Sequence, residues 1–301
     1  MADIISRIGH TPLLHLDLHG VPVDLRIKLE SANPSGSVKD RAALAMVEDA
    51  ENRGILRPGG EIIEATSGNL GISLAMIAAA RGYACTIVMP DSMSPERRRL
   101  MAAYGADVVL TDGTQGMSGS VRMAEALHRQ RPGSILLGQF SNPANPVAHE
   151  RITGPEILTD TSGQIAAFVA GIGTGGTITG VGRCLKAHDR SIRIVGVEPA
   201  ESPLLTQGRT GTHGIQGIGA DFIPENFDPA VVDELLPVRT ADALSCVRML
   251  AREHGILAGI SSGAALWAGM QLGLRPEFAG RTIVIFLPDS GERYLSAGGF
   301  G

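Results

Sequence analysis

The chain has three lysines, Lys28, Lys39 and Lys186, and arginine carries nearly all of its remaining positive charge. Lys39 stands in Asn33-Pro34-Ser35-Gly36-Ser37-Val38-Lys39-Asp40-Arg41, just ahead of a helical pattern over 42–53. Ser37 followed by Asp40 three residues on has the spacing of a capping box. That places Lys39 in the first helical turn, at the positive end of the helix dipole, where a cation is disfavoured. An amine with weakened proton affinity forms a Schiff base with an aldehyde. The competing reading is a first-turn lysine that points into water. Lys28 falls in the alternating pattern Leu25-Arg26-Ile27-Lys28-Leu29-Glu30, which predicts a solvent-facing side chain on a strand. Lys186 lies near a helix end, an ordinary place for a cation.

Three further stretches each run from a strand into a helix. In Ala65-Thr66-Ser67-Gly68-Asn69-Leu70-Gly71, the polar side chains of Thr66, Ser67 and Asn69 stand with free backbone N–H groups at a helix start, a site for a carboxylate or simply a turn and cap. In Gly171-Ile172-Gly173-Thr174-Gly175-Gly176-Thr177, glycines let the backbone approach an anion. Gly171, Gly173 and Gly176 also match G-x-G-x-x-G, and Glu198 closes the next strand, so a nicotinamide dinucleotide and an oxidoreductase are the rival. The hydroxyls of Thr174 and Thr177 favour a terminal phosphate monoester. In Gly259-Ile260-Ser261-Ser262-Gly263-Ala264, Ser261 offers a neutral hydroxyl or a helix cap.

Strand patterns fall at 61–65, 84–89, 107–110, 135–139, 166–171, 192–197 and 282–287, and helical patterns at 72–81, 95–104, 118–130, 177–187 and 241–254. Gly54, Gly82, Gly105 and Gly255 follow helices as C′ residues would. Continuous apolar strands alternating with helices predict an α/β protein with mostly parallel sheets buried on both faces. The segment 142–146 carries the best linker signal, and 202–229 is a long irregular stretch of the kind that is usually functional.

A net charge of −5 argues against a nucleic-acid or anionic-membrane partner. The longest apolar stretch, near 73–80, is too short to span a bilayer, and the first residues lack the features of a signal peptide. Cys85, Cys184 and Cys246 suggest neither a disulfide framework nor a zinc site, so a reducing cytoplasm is expected. His15 and His19 read as strand or loop histidines and Trp267 as a packing residue; no metal site is expected.

An amine, a carboxylate cradle, a phosphate cradle and a neutral hydroxyl together suit pyridoxal 5′-phosphate with an amino-acid substrate. The motifs Asn-Pro-Ser-Gly-Ser-Val-Lys-Asp-Arg, Thr-Ser-Gly-Asn, Gly-Thr-Gly-Gly-Thr and Gly-Ile-Ser-Ser-Gly-Ala follow one another as in cysteine synthases. The chain resembles these O-acetylserine sulfhydrylases, of the tryptophan-synthase-β fold type (fold-type II), from Ile8-Gly9-His10-Thr11 to Gly291-Glu292-Arg293-Tyr294. The resemblance implies that Lys39 carries the cofactor and acts as catalytic base. It implies that Asn69 meets the ring 3′-oxygen, Gly173 to Thr177 (with Thr174, Gly175 and Gly176) the phosphate, and Ser261 the pyridine nitrogen. Thr66, Ser67, Gly68, Asn69, Leu70 and Gln139 would surround the substrate carboxylate, and Gly217 would belong to a flap over 213–219. It further implies a smaller mobile domain over 36–145, a larger cofactor domain of 1–35 plus 146–301, a homodimer, and serine acetyltransferase as a possible partner. The implied reaction is β-replacement: acetate leaves O-acetyl-L-serine to give an aminoacrylate, and sulfide adds to give L-cysteine.

Two residues depart from the family pattern. Leu70 stands where the family usually has threonine, and so does Ile152. Loss of a hydroxyl contact costs about 0.5–1.5 kcal/mol, enough to alter substrate preference. Leucine at the first position also occurs in relatives that add an amine in place of sulfide.

Overall fold

The computed structural model describes residues 3–66 and 68–297. They form two sheets whose strands alternate with helices. The first sheet is ordered β1-β2-β10-β7-β8-β9, with β1 (Leu13–Leu16), β2 (Asp24–Leu29), β7 (Ala167–Gly171), β8 (Arg193–Pro199), β9 (Glu234–Val238) and β10 (Thr282–Leu287). Only the β1–β2 pairing is antiparallel. The second sheet is parallel throughout, ordered β5-β4-β3-β6, with β3 (Glu61–Ala65), β4 (Ala84–Pro90), β5 (Asp107–Thr111) and β6 (Ser134–Leu136).

Period-two alternation divides the apolar residues of each sheet between two helical layers. In the first sheet, Leu25, Ile27, Val169, Ile283 and Ile285 pack toward α9 (Thr240–His254) and α10 (Ile260–Gly273). Phe168, Ala170, Val284 and Phe286 pack on the opposite side with α7 (Gly176–His188) and α6 (Gly154–Asp160). In the second sheet, Ile62, Ile87 and Met89 meet α1 (Lys39–Asn52), α2 (Asn69–Arg81) and α3 (Pro95–Ala103), while Ile63, Ala65 and Val88 meet α4 (Gly116–Gln130). This is the expected α/β architecture. Trp267 packs against the first core. Gly54, Gly82, Gly105 and Gly255 all have positive φ after their helices, as their C′ role requires.

Several expectations differ from the fold. The strand expected over 135–139 ends at Leu136, because the N–H groups of Leu137, Gly138 and Gln139 turn to the Glu64 carboxylate. Strand β9 carries no clean apolar run and contains Pro237, which the fold accommodates at the sheet edge. The stretch over 142–146 is packed structure: it enters α5 (Ala144–Ala148), which continues through a π turn, His149–Thr153, into α6, and Asn145 is buried. Over 202–229 the chain is irregular apart from α8 (Leu204–Gln207).

The capping box at Ser37 and Asp40 does not form. Val38 is the N-cap, Ser37 Oγ accepts from Lys39 N at 3.3 Å, and Asp40 turns inward to Ser35 and Ser73. Lys28 is also not solvent-facing. Strand β2 lies between β1 and β10 beneath α6, and Lys28 is fully buried, with Nζ 2.9 Å from Glu156, 3.2 Å from Asp160 and 2.6 Å from the Thr11 carbonyl.

Lys28 thereby joins a buried ionic cluster in which Arg41 binds Glu30 at 2.7 Å and Glu156 at 2.7 Å, tying the start of α1 to β2 and α6. Burial alone would raise the Glu156 carboxyl. Its hydrogen bonds and charge pairing with Arg41, helped by the His10 N–H and Lys28, bring it down to about 2 instead. A carboxyl depressed in the folded state stabilises above its unfolded value, here 4.5, and that stability is lost as pH falls toward 2. Glu156→Gln is therefore expected to flatten the loss of stability between those limits in urea titrations. Arg41→Met, which leaves the buried Glu30 carboxylate without its cation, should cost about 3–5 kcal/mol at neutral pH.

Candidate active site

In open parallel sheets, ligand-binding residues gather beyond the carboxyl ends of the strands. Here β3 leads to Thr66 and Asn69, β6 to Gln139, β7 to Gly173, Thr174 and Gly175, and β10 to Asp289. These ends open onto one cavity of about 330 Å³. Of the residues singled out in the sequence, Lys39, Thr66, Asn69, Leu70, Gln139, Gly173, Thr174, Gly175, Thr177, Gly217 and Ser261 line it. Gly68 and Gly176 stand at the starts of α2 and α7 behind the lining, and Ser67 lies outside the described residues. Ile152 is exposed in the π turn and does not line the cavity, whereas Leu70 does.

Lys39 is the first residue of α1. Removal from water lowers the proton affinity of its amine, and the Asp289 carboxylate works in the opposite direction. Its position relative to α2 is set by Asp40. That buried carboxylate accepts from Ser35 N at 2.7 Å and from the Ser73 hydroxyl at 2.6 Å, and also binds the Ser35 hydroxyl. Burial raises the Asp40 carboxyl against the pull of these hydrogen bonds.

Asn69 opens α2 and is gripped at both ends of its amide. Its Nδ2 donates to Asp289 Oδ2 at 2.6 Å, and its Oδ1 accepts from Arg293 Nη1 at 2.8 Å. Thr66 Oγ1 accepts from Gly68 N at 3.2 Å, shaping the turn between β3 and α2. Across from it, Glu64 accepts from three successive backbone N–H groups, Leu137 and Gly138 at 3.1 and 3.0 Å and Gln139 at 3.1 Å. The Gln139 side chain then reaches back to the Ala65 carbonyl at 3.3 Å. Burial raises the Glu64 carboxyl, and the three N–H donors oppose that.

The glycine loop before α7 is shaped by its neighbours. Gly175 has φ +82°, and a Cβ there would sit 2.7 Å from the Phe227 backbone. A Cβ at Gly173 would strike the Gly217 carbonyl, so the loop and the 213–219 segment lie directly against each other. Thr174 Oγ1 accepts from Asn145 Nδ2 at 3.0 Å, and Thr177 Oγ1 lies 3.3 Å from His149 Nε2. His149 Nδ1 pairs with Thr153 at 2.9 Å. Burial, with the nearby Arg41 and Lys39 charges, holds His149 well below the usual imidazole range, so it is neutral at pH 7. The threonines thus turn their hydroxyls in a helix N-terminal setting suited to an anion.

Sequence reasoning missed Asp289, Glu64, Asn145 and His149. Asp289 lies two residues beyond β10, and the strand-end rule alone could have found it. The others act through tertiary contacts that carry no local pattern. Arg97 was also missed: it lines the cavity, with its guanidinium carbon 4.9 Å above the Tyr294 ring. Glu198, which a dinucleotide site would direct at a ribose, accepts from Leu205 N at 2.8 Å and Thr206 N at 3.1 Å and so closes its own loop. Among the described residues no cluster of side chains could hold a metal ion.

A family model described as pyridoxal-phosphate dependent enzyme matches residues 4–289. Cysteine synthase A of Escherichia coli (strain K12) is 51% identical over 303 residues, covering 98% of this chain and 94% of that protein. The solved cysteine synthase of Entamoeba histolytica superposes with a TM-score of 0.94 at 43% identity, covering 98% of this chain and 89% of that one. A hydrogen sulfide-producing enzyme from Fusobacterium nucleatum superposes at 0.95 with 42% identity, covering 98% of this chain and 100% of that one.

Glu64→Gln replaces an acceptor-only group by one whose amide nitrogen opposes the loop N–H groups. Hydrogen exchange at Leu137, Gly138 and Gln139 is expected to accelerate, with a stability loss of about 1–3 kcal/mol. Unchanged protection at these three amides would show that the carboxylate does not hold the loop.

Proposed function

The chain belongs to the family of pyridoxal-phosphate-dependent enzymes, and from that we infer that it converts O-acetyl-L-serine and sulfide into L-cysteine and acetate, as a cysteine synthase. The observation that carries this reading is the convergence on one cavity of a desolvated amine, Lys39, the N-terminus of α2 and the glycine loop before α7. The residues present fit the cofactor. Thr174 and Thr177, braced by Asn145 and His149, stand at the start of α7 where a phosphate is favoured. Ser261 and Asn69 line the same cavity as Lys39, where they would meet the cofactor ring. Pyridoxal phosphate, when bound, supplies a carbonyl that captures amines and a ring that draws electrons from the substrate α-carbon.

The protein contributes position and proton transfer. Thr66, Asn69, Gln139 and the backbone N–H groups opening α2 hold the substrate carboxylate. The free Lys39 amine would take the substrate α-proton at Nζ. A lysine with ordinary proton affinity would be charged at neutral pH and unable to do so; burial shifts it the required way. Ser261 would offer the ring nitrogen a hydroxyl in place of a carboxylate, which would limit electron withdrawal and favour loss of a β-substituent over transamination. The 213–219 segment lies against the glycine loop and can exclude water. Residues 36–145 are read as a smaller part that closes on carboxylate binding, over a larger part of 1–35 plus 146–301.

Likeness to the cysteine synthases supports a homodimer acting in the cytoplasm, with serine acetyltransferase as a candidate partner. No helix among the described residues is long and apolar enough to cross a membrane. Leu70 favours a second reading, a β-replacement enzyme with another nucleophile such as an amine, because it lines the cavity where a hydroxyl would otherwise serve the substrate.

Purified protein given O-acetyl-L-serine is expected to change its visible spectrum, and the spectrum should return on addition of sulfide with formation of cysteine. Recovery with amines only would select the second reading. Lys39→Ala should lose the lysine-linked absorbance and multiple turnover; normal turnover in that variant would end the proposal. Leu70→Thr is expected to improve kcat/KM for O-acetyl-L-serine by about 2- to 10-fold, the worth of one hydroxyl contact.

A further inference from the structure

Asp289 is the only acidic side chain among the described residues that line the cavity. Its side chain is almost wholly buried, with Oδ2 accepting from Asn69 Nδ2 and from the Tyr294 hydroxyl, while Oδ1 has no hydrogen-bond partner. The backbone fixes it from both sides: its carbonyl accepts from Gly259 N at 3.0 Å, and it bridges to Ser37 just ahead of Lys39. The carboxylate packs so closely on Gly259 that a Cβ there would overlap Oδ1. A buried acceptor left unpaired is costly, and the residue that carries it lines the cavity in which Lys39 stands.

Two consequences follow from donor and acceptor chemistry. Arg293 can only donate, so it must face the oxygen of the Asn69 amide; an ionised Asp289 can only accept, so it must face the nitrogen. Together they allow one orientation of Asn69 and leave its second N–H uncommitted. The charges around Lys39 are likewise unequal. Arg97 from α3 and Arg293 from the C-terminal 3-10 turn (Gly291–Ala297) are cationic, His149 beyond α1 is neutral, and Tyr294 donates its hydroxyl. Among the described residues, Asp289 is a negative group that acts on the amine.

We propose that Asp289 is a positioning residue for the Lys39 centre. It holds the Asn69 amide with its N–H side available to the oxygen of the cofactor ring, and it places a negative charge in the cavity that the Lys39 amine shares. The proposal rests on the reading that pyridoxal phosphate is carried by Lys39. It adds a residue of opposite charge that the functional reading did not use.

The test compares Asp289→Asn, which keeps the shape and removes the charge, with Tyr294→Phe, which keeps the charge and removes the buried hydrogen bond. Two titrations are followed: the visible absorbance of the purified holoenzyme against pH, and, after the cofactor has been stripped, the rate of Lys39 acylation by acetic anhydride against pH, read by peptide mass spectrometry. In Asp289→Asn both midpoints are expected to fall by about one pH unit, a tenfold loss of proton affinity, with Tyr294→Phe close to the parent. Asp289→Ser serves as a second neutral variant should Asp289→Asn fail to fold. Parent-like midpoints in the neutral variants, or an equal shift in Tyr294→Phe, would overturn the proposal. If the parent itself has no lysine-linked absorbance, the cofactor reading fails instead, and the acylation arm still decides the role of the charge at Asp289.

Discussion

An ammonium group removed from water loses part of what keeps it protonated, and Lys39 is held where burial acts on it in that direction. It opens a helix, so the nearest backbone dipoles also oppose a positive charge. Had the fold placed this amine in solvent, it would be one more surface cation. Set among the strand ends, it is a nucleophile and a base whose proton affinity is governed by its surroundings, with burial on one side and the carboxylate of Asp289 on the other.

Holding the amine there depends on polar groups that never touch the cavity. Asp40 joins the segment before α1 to the second turn of α2, so that Lys39 and Asn69 are placed by one carboxylate. Glu64 ends β6 early and folds the chain back so that the Gln139 side chain reaches the Ala65 carbonyl. Arg41 and Lys28, with Glu30 and Glu156, join α1 to the sheet that supplies the glycine loop. Buried charges of this kind are weak sources of stability when compared with apolar packing. Their value lies in direction: each fixes neighbouring segments in one geometry by pairing the donors turned toward it.

Much of the architecture was legible in the sequence because burial on both faces leaves unbroken apolar strands, as in β7 and β10. Glycines at helix ends were equally legible, since positive φ leaves few alternatives. The candidate residues after β3 and β7 could be read because they lie in short strand-to-helix connections, where composition and position are informative together; the strand expected before Ser261 is absent, since α10 follows α9, and Gly217 lies in the long irregular stretch. What could not be read was pairing across the chain. Lys28 looked solvent-facing because alternation reports a strand's period and says nothing about what covers its outer face. Ser37 and Asp40 had the spacing of a capping box, yet Asp40 found Ser73 on another helix. Glu64 looked like an ordinary strand residue, and its three N–H partners lie more than seventy positions away. The departure at Leu70 was visible at once, and only the fold shows that it faces the cavity while Ile152 does not.

Because the chain has only three lysines, the central claim has an unambiguous readout. The purified enzyme would be reduced with borohydride, digested, and its lysine-containing peptides weighed. The account predicts the mass of a reduced pyridoxyl phosphate on the peptide containing Lys39 and on no other. That mass on Lys28 or Lys186, or on none of the three, would contradict it.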